Sequence, residues 1–118
     1  MAQYALFLYD DPETFSGLSP ERMQQVIQKY VAWGNRLRAA GQLTDGQKLA
    51  DEPGRVMRGG NGQVRVTDGP YSETKEVLGG YYILTAGSYD EALELARDCP
   101  HLEYGGAIEL RQIDTMGQ

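Results

Sequence analysis

The chain of 118 residues has one cysteine and one histidine, at positions 99 and 101, and each scarcity removes a class of chemistry. A lone Cys99 forms no internal disulfide and supplies no cysteine-based zinc site, which fits a reducing compartment. Without a second histidine a His-rich metal centre is excluded, and no histidine is suitably placed as a haem ligand. Basic side chains are also few: 11 Lys and Arg stand against 17 Asp and Glu, for a net charge of -6. Nucleic-acid binding draws most of its affinity from phosphate neutralisation, so a nucleic-acid partner is not expected. Long apolar runs are missing as well. The longest, residues 4–9 and 81–84, are too short to cross a bilayer or to form a signal-peptide core, so a cytoplasmic protein with no membrane partner is expected. Phe and Trp number only 2 and 1, whereas Tyr reaches 8. A buried tyrosine needs a partner for its hydroxyl, which suits an interface or a polar pocket better than a dry core.

With 41% hydrophobic and 24% charged residues, the composition is that of an ordinary soluble globular protein. A chain this short is expected to be a single domain, 1–118, because a divided core would leave each half poorly buried. Residues 4–9 (YALFLY) are apolar at odd and even positions alike and read as a strand covered on both faces. Ser19-Pro20 is a helix start, with Ser as N-cap and Pro at the first helical position. Met23, Val26, Ile27, Tyr30, Val31, Gly34 and Leu37 then fall on one helical face, where Gly34 is expected to admit a closely packed sheet. Gly41 closes the helix in the left-handed stop position.

Residues 43–49 form a weaker strand. Residues 55–58 and 63–67 read as a hairpin around Gly59, Gly60, Asn61 and Gly62, with Val64 and Val66 on its buried face. Residues 81–85 form a second strand apolar on both faces. Ser88 to Glu91 is a capping box, and the helix behind it is expected to bury Ala92, Leu93, Ala96 and Cys99 and to end before Pro100. In residues 107–113, Ile108 and Leu110 alternate with Glu109 and Arg111. The order predicts an α+β, ferredoxin-like βαββαβ fold: an antiparallel sheet with both helices on one face, plus an extra hairpin.

Two helices cover one face of such a sheet, yet two strands are apolar on both. Contiguous apolar and tyrosine surface is unusual on a monomer, and a second copy about a two-fold axis is the simplest cover, so a homodimer is expected. Tyrosines with Glu109 and Arg111 would make the enclosed space partly polar, a pocket for a small molecule.

Candidate chemistry centres on residues 68–82, DGPYSETKEVLGGYY. Asp68-Gly69-Pro70 is a turn signal, and its functional reading is a carboxylate held on a stiff turn at a pocket mouth, as general base or ligand acceptor. Glu73, Lys75 and Glu76 read either as a solvated mixed-charge face or as groups that orient an anion or carboxylate. His101 is the one side chain that ordinarily titrates near neutrality, and it follows a helix whose dipole favours a cation. Cys99 reads as a buried core thiol. The glycines at 59, 60 and 62 lack the helix and lysine of a phosphate loop, so no nucleotide and no other cofactor is expected. The candidate catalytic residues are Asp68 and His101; the candidate ligand-binding residues are Tyr71, Glu73, Lys75, Tyr82, Glu109 and Arg111.

In VTDGPYSETKEVLGGYY, GQLTDGQKL, SYDEALELARDCP and GGAIELRQI the sequence resembles the YCII-related family, in the branch named for its DGPF motif, with Tyr71 in place of the Phe. The resemblance spans nearly the whole chain. It implies a ferredoxin-like fold assembled as a dimeric α/β barrel. It also implies acid-base chemistry of isomerase or lyase type: a related member is an enzyme of chloroaromatic breakdown, and shorter relatives have a proposed His-Asp pair whose Asp side corresponds to Asp68. Alternatively, the association of DGPF-type proteins with alternative sigma factors implies a non-enzymatic accessory or regulatory module.

Overall fold

The structure, a computed structural model, describes residues 1–69 and 76–115. Its elements are β1 (Ala2–Asp10), α1 (Pro20–Ala39), β2 (Leu43–Lys48), β3 (Arg55–Gly60), β4 (Gln63–Asp68), β5 (Val77–Ala86), α2 (Tyr89–Ala96), α3 (Pro100–Glu103) and β6 (Ala107–Gln112). The fold is α+β with antiparallel sheets. A four-stranded sheet has the order β2-β5-β1-β6, and β3-β4 form a separate two-stranded sheet. With that hairpin set aside, the sequence runs β-α-β-β-α-β, and the two strands apolar on both faces are the two central ones.

Local signals explain the element ends. Ser19 caps α1 by accepting from the Arg22 amide at 3.1 Å. At the other end the Gly41 amide bonds to the Arg38 carbonyl and the Gln42 amide to that of Leu37, while Gly41 takes φ +75°. This is the double-bonded left-handed stop that glycine favours. Ser88 caps α2 by accepting from the Glu91 amide at 3.2 Å, and the Glu91 carboxylate reaches back to the amide of Gly87, one residue before the cap.

The core lies between the sheet and the helices. Leu6 and Leu8 of β1, Leu43 of β2 and Leu84 of β5 pack against Trp33 and Leu37 of α1 and against Ala96 and Cys99. A second cluster joins Tyr4, Ala86 and Ala92. The α1 face differs from the expected one. Val26, Trp33, Gly34 and Leu37 are buried, while Ile27 and Val31 are exposed. The indole explains the rotation, because Trp33 offers the largest apolar area on the helix and its N–H finds Asp98 at 3.0 Å. On α2, Leu93 is likewise exposed rather than buried.

The hairpin departs furthest from expectation. Its turn is Asn61-Gly62, both at positive φ, while Gly59 and Gly60 belong to β3. A two-residue loop with this pattern matches the twist of the flanking strands. Val64 and Val66 are exposed, and Met57 on the same face is exposed too, so the apolar face expected to be buried meets solvent.

Candidate functional site

Period-two alternation sorts the residues of the main sheet. Along β1, Tyr4, Leu6 and Leu8 point to the helices, which leaves Ala5, Phe7 and Tyr9 on the opposite, open face. Register carries the sorting outward. Ala5 pairs with Ile83 and Arg111, Phe7 with Tyr81 and Glu109, and Tyr9 with Ala107. From β2, Asp45 lies opposite Ile83 and Gln47 opposite Tyr81. The open face is therefore an apolar and aromatic floor with charged groups on its two edge strands.

Two tyrosines tie floor to edges. The Tyr9 hydroxyl donates to Glu109 Oε1 at 3.2 Å, and the Tyr81 hydroxyl donates to Asp45 Oδ2 at 3.1 Å. The pKa of Tyr9 is raised by burial and then by its Glu109 partner, and that of Tyr81 chiefly by its bond to Asp45. Both hydroxyls stay protonated and act as donors at neutral pH.

A buried polar node lies beneath the end of β1. Pro100 opens α3, and His101 in it is only 4% exposed. The His101 Nε2 lies 2.8 Å from the Tyr9 carbonyl and its Nδ1 lies 3.0 Å from the Tyr30 hydroxyl. A carbonyl can only accept, so Nε2 carries the proton, and in the neutral ring Nδ1 accepts from Tyr30. Burial raises the Tyr30 pKa strongly, which keeps that hydroxyl a donor. Tyr104 stacks on Tyr30 at 6.3 Å and meets Phe15 edge-on at 5.4 Å. Beside the node, burial pushes the Cys99 thiol up to about 11, so it is not a nucleophile at neutral pH.

Asp10 stands where the node meets solvent. Burial raises its pKa, opposed by His101 and then Lys48. A β-bulge is set beside it: Leu8 pairs with Gly80 and Tyr9 with Leu78, so Gly79 is passed over, and a Cβ on Gly79 would lie 3.1 Å from Asp10 Oδ1. The glycine admits the carboxylate at that corner.

Residues 2–116 match the YCII-related domain. The chain belongs to the YCII-related family. An uncharacterised protein of Rhizobium meliloti (strain 1021) is 33% identical over 112 residues, which is 93% of this chain and 90% of that one. Among solved structures, the 5-chloro-2-hydroxyhydroquinone dehydrochlorinase of Burkholderia phenoliruptrix, in complex with 2,5-dihydroxybenzoquinone, aligns at a TM-score of 0.48 and 17% identity over 95% of this chain and 93% of that one.

In this YCII-related chain the residues singled out from sequence are dispersed. Asp68 ends β4, with its side chain 86% exposed and 3.4 Å from the Arg55 guanidinium. His101 is enclosed with both ring nitrogens bonded. Tyr82 faces the helices: it pairs with Leu6, and its ring meets Trp33 edge-on at 5.0 Å. Burial pushes its pKa up to about 12. Glu109 and Arg111 lie on the open face, so they and Tyr82 occupy opposite sides of the sheet and cannot line one pocket together. Tyr71, Glu73 and Lys75 lie outside the described residues.

Asp10, Tyr9, Tyr81 and Asp45 were not singled out in advance. The signal for the tyrosines was present in the period-two alternation of β1 and β5, hidden because both phases are apolar. Asp10 gave no local signal, since an aspartate after a strand is an ordinary stop. Among the described residues, no three His, Cys, Asp or Glu side chains gather as metal ligands. No helix among them is long and apolar enough to cross a membrane.

Proposed function

We propose that this YCII-related protein is a homodimer that binds a small molecule between the open sheet faces of its two copies. The observation that carries the reading is the face itself: Phe7, Tyr81 and Ile83 form its floor, and two carboxylate-anchored tyrosines flank it. An apolar floor with a few fixed polar groups is what a small-ligand site requires, but one open sheet face is a wall without a roof. A second copy supplies the roof and buries the floor. The ligand class that suits the face is a small, flat aromatic or carbonyl compound with polar groups at opposite ends, met by Tyr9 and Glu109 on one side and Tyr81 and Asp45 on the other.

Any proton transfer in this reading falls to the open-face pairs Tyr9–Glu109 and Tyr81–Asp45, because Asp10 lies on the helix side of the sheet beside His101 and Asp68 is exposed beside a guanidinium. Light scattering after size exclusion tests the assembly. The wild type is expected to be dimeric at micromolar concentration, and Phe7→Glu, placed at the centre of the floor, is expected to give a folded monomer. Equilibrium dialysis with 4-nitrophenol tests the site, with binding expected to the wild type and lost in Phe7→Glu. A monomeric wild type ends the dimer reading; a dimer that takes up no probe at millimolar concentration ends the ligand reading.

A further inference from the structure

We propose that His101 is a positioning residue, which from the helix side of the sheet sets the aim of the Tyr9 hydroxyl on the open face, a proposal that rests on the open-face ligand reading. The two groups meet through one backbone carbonyl. The Tyr9 ring lies on the open face, where its hydroxyl donates to Glu109 at 3.2 Å, while the Tyr9 carbonyl accepts from His101 Nε2 at 2.8 Å. A residue has only two soft backbone dihedrals, so holding the carbonyl direction holds ψ and leaves the Cα–Cβ bond that carries the ring little freedom.

The position along β1 gives that hold its effect. Tyr9 is the last residue of β1 paired with β6, opposite Ala107, and the pairing with β5 slips between Leu8 and Tyr9. A bulge bends its strand and re-aims the side chains beside it, so the ladder alone guides Tyr9 least. The imidazole is in turn held from three directions. Its Nδ1 lies 3.0 Å from the Tyr30 hydroxyl of α1, which donates to it and leaves the proton on Nε2, the nitrogen that faces Tyr9. Lys29 joins Glu103 at 2.8 Å and ties α1 to α3. Gly106 lies against the ring, where a Cβ would overlap it. At 4% exposure His101 meets no ligand on the other side of the sheet, and its effect there passes through Tyr9.

Equilibrium dialysis of the full chain with 4-nitrophenol measures the coupling. His101→Leu is expected to weaken binding about tenfold, within the range of coupling between residues in contact. His101→Gln, which keeps an amide donor for the Tyr9 carbonyl, is expected to recover most of that loss. In a Tyr9→Phe background His101→Leu is expected to cost nothing further, whereas in Tyr81→Phe, on the other side of the floor, it keeps its full cost. The lone histidine supplies a second signal that needs no substitution at position 101. In protein labelled at the histidine nitrogens, the Nε2–H resonance is expected to shift with the dissociation constant found by dialysis, and the shift is expected to be largely lost in Tyr9→Phe. An equal cost of His101→Leu with and without the Tyr9 hydroxyl, or a His101 resonance unmoved at saturation, overturns the positioning role while the open-face site stands. A wild type that takes up no 4-nitrophenol overturns both.

Discussion

His101 is fixed from both sides, and that makes its surroundings unforgiving. A methyl group added at Gly106 would overlap the His101 ring, which cannot turn away without giving up either Tyr30 or the Tyr9 carbonyl. Gly106→Ala is therefore expected to lower the unfolding free energy by about 1–3 kcal/mol, the usual cost of overpacking. The origin is tested by a double-mutant cycle in urea: with His101→Ala already present, the added methyl has room, and the cost of Gly106→Ala is expected to shrink. Additive losses would show that the glycine matters for another reason. Asp10 gives a pH-dependent counterpart. Its pKa is raised in the folded state, so its contribution is fully present below the ordinary aspartate value of about 3.9 and is lost as pH rises through the folded value. Asp10→Asn removes that penalty. It is expected to melt higher than wild type at pH 7, with the gap closing in acid, and a gap that stays constant from pH 3 to 7 would show that charge burial is not the cause.

At the scale of elements, two glycines of the first helix region have opposite roles. Gly34 was expected to let the sheet approach closely, yet a Cβ there would lie 3.6 Å from Leu43 Cδ2, an ordinary contact. Gly34→Ala is thus expected to stabilise, by about 0.5–1 kcal/mol from helix propensity. Gly41 holds φ +75° in open space, so Gly41→Ala is expected to destabilise by about 1–2 kcal/mol through backbone conformation alone. Chemical denaturation of the two variants checks both signs, and a destabilised Gly34→Ala would restore the close-approach reading. These cases show where sequence was informative. Caps, stops and strand alternation are local, and Ser19, Gly41, Ser88 and the Ile108/Leu110 pair could be read directly. Which apolar residues of α1 turn inward depends on one large side chain finding Asp98, sixty-five positions away, and no periodicity within the helix reports that. The same holds for Val64 and Val66, whose alternation is that of a half-buried strand although no core of their own subunit receives it.

At the scale of the molecule, one face of one sheet accounts for most of the expected behaviour. Membership of the YCII-related family and the α+β layout were legible because residues 2–116 carry family motifs in order. The site was less legible, because the open face assembles side chains from four strands far apart in sequence, among them Tyr9, Asp45, Tyr81 and Glu109. The same architecture predicts uneven stability. Strands β1 and β5 pair along nearly their whole length and contribute Leu6, Leu8 and Leu84 to the central cluster, while among the described residues β3 and β4 pair only with each other. Opening the central pair exposes the core, so their amides are expected to exchange only through global unfolding. Opening the hairpin exposes little that is not already wet. Native-state hydrogen exchange in dilute solution is therefore expected to divide the chain, with amides near Leu6 and Leu84 the slowest and those near Val64 and Val66 faster by orders of magnitude. Adding denaturant below the transition should accelerate the first group with the full unfolding slope and leave the second almost unchanged. Comparable protection in both groups would mean that the hairpin shares the core's cooperativity, and that its exposed valines are held by something other than their own two strands.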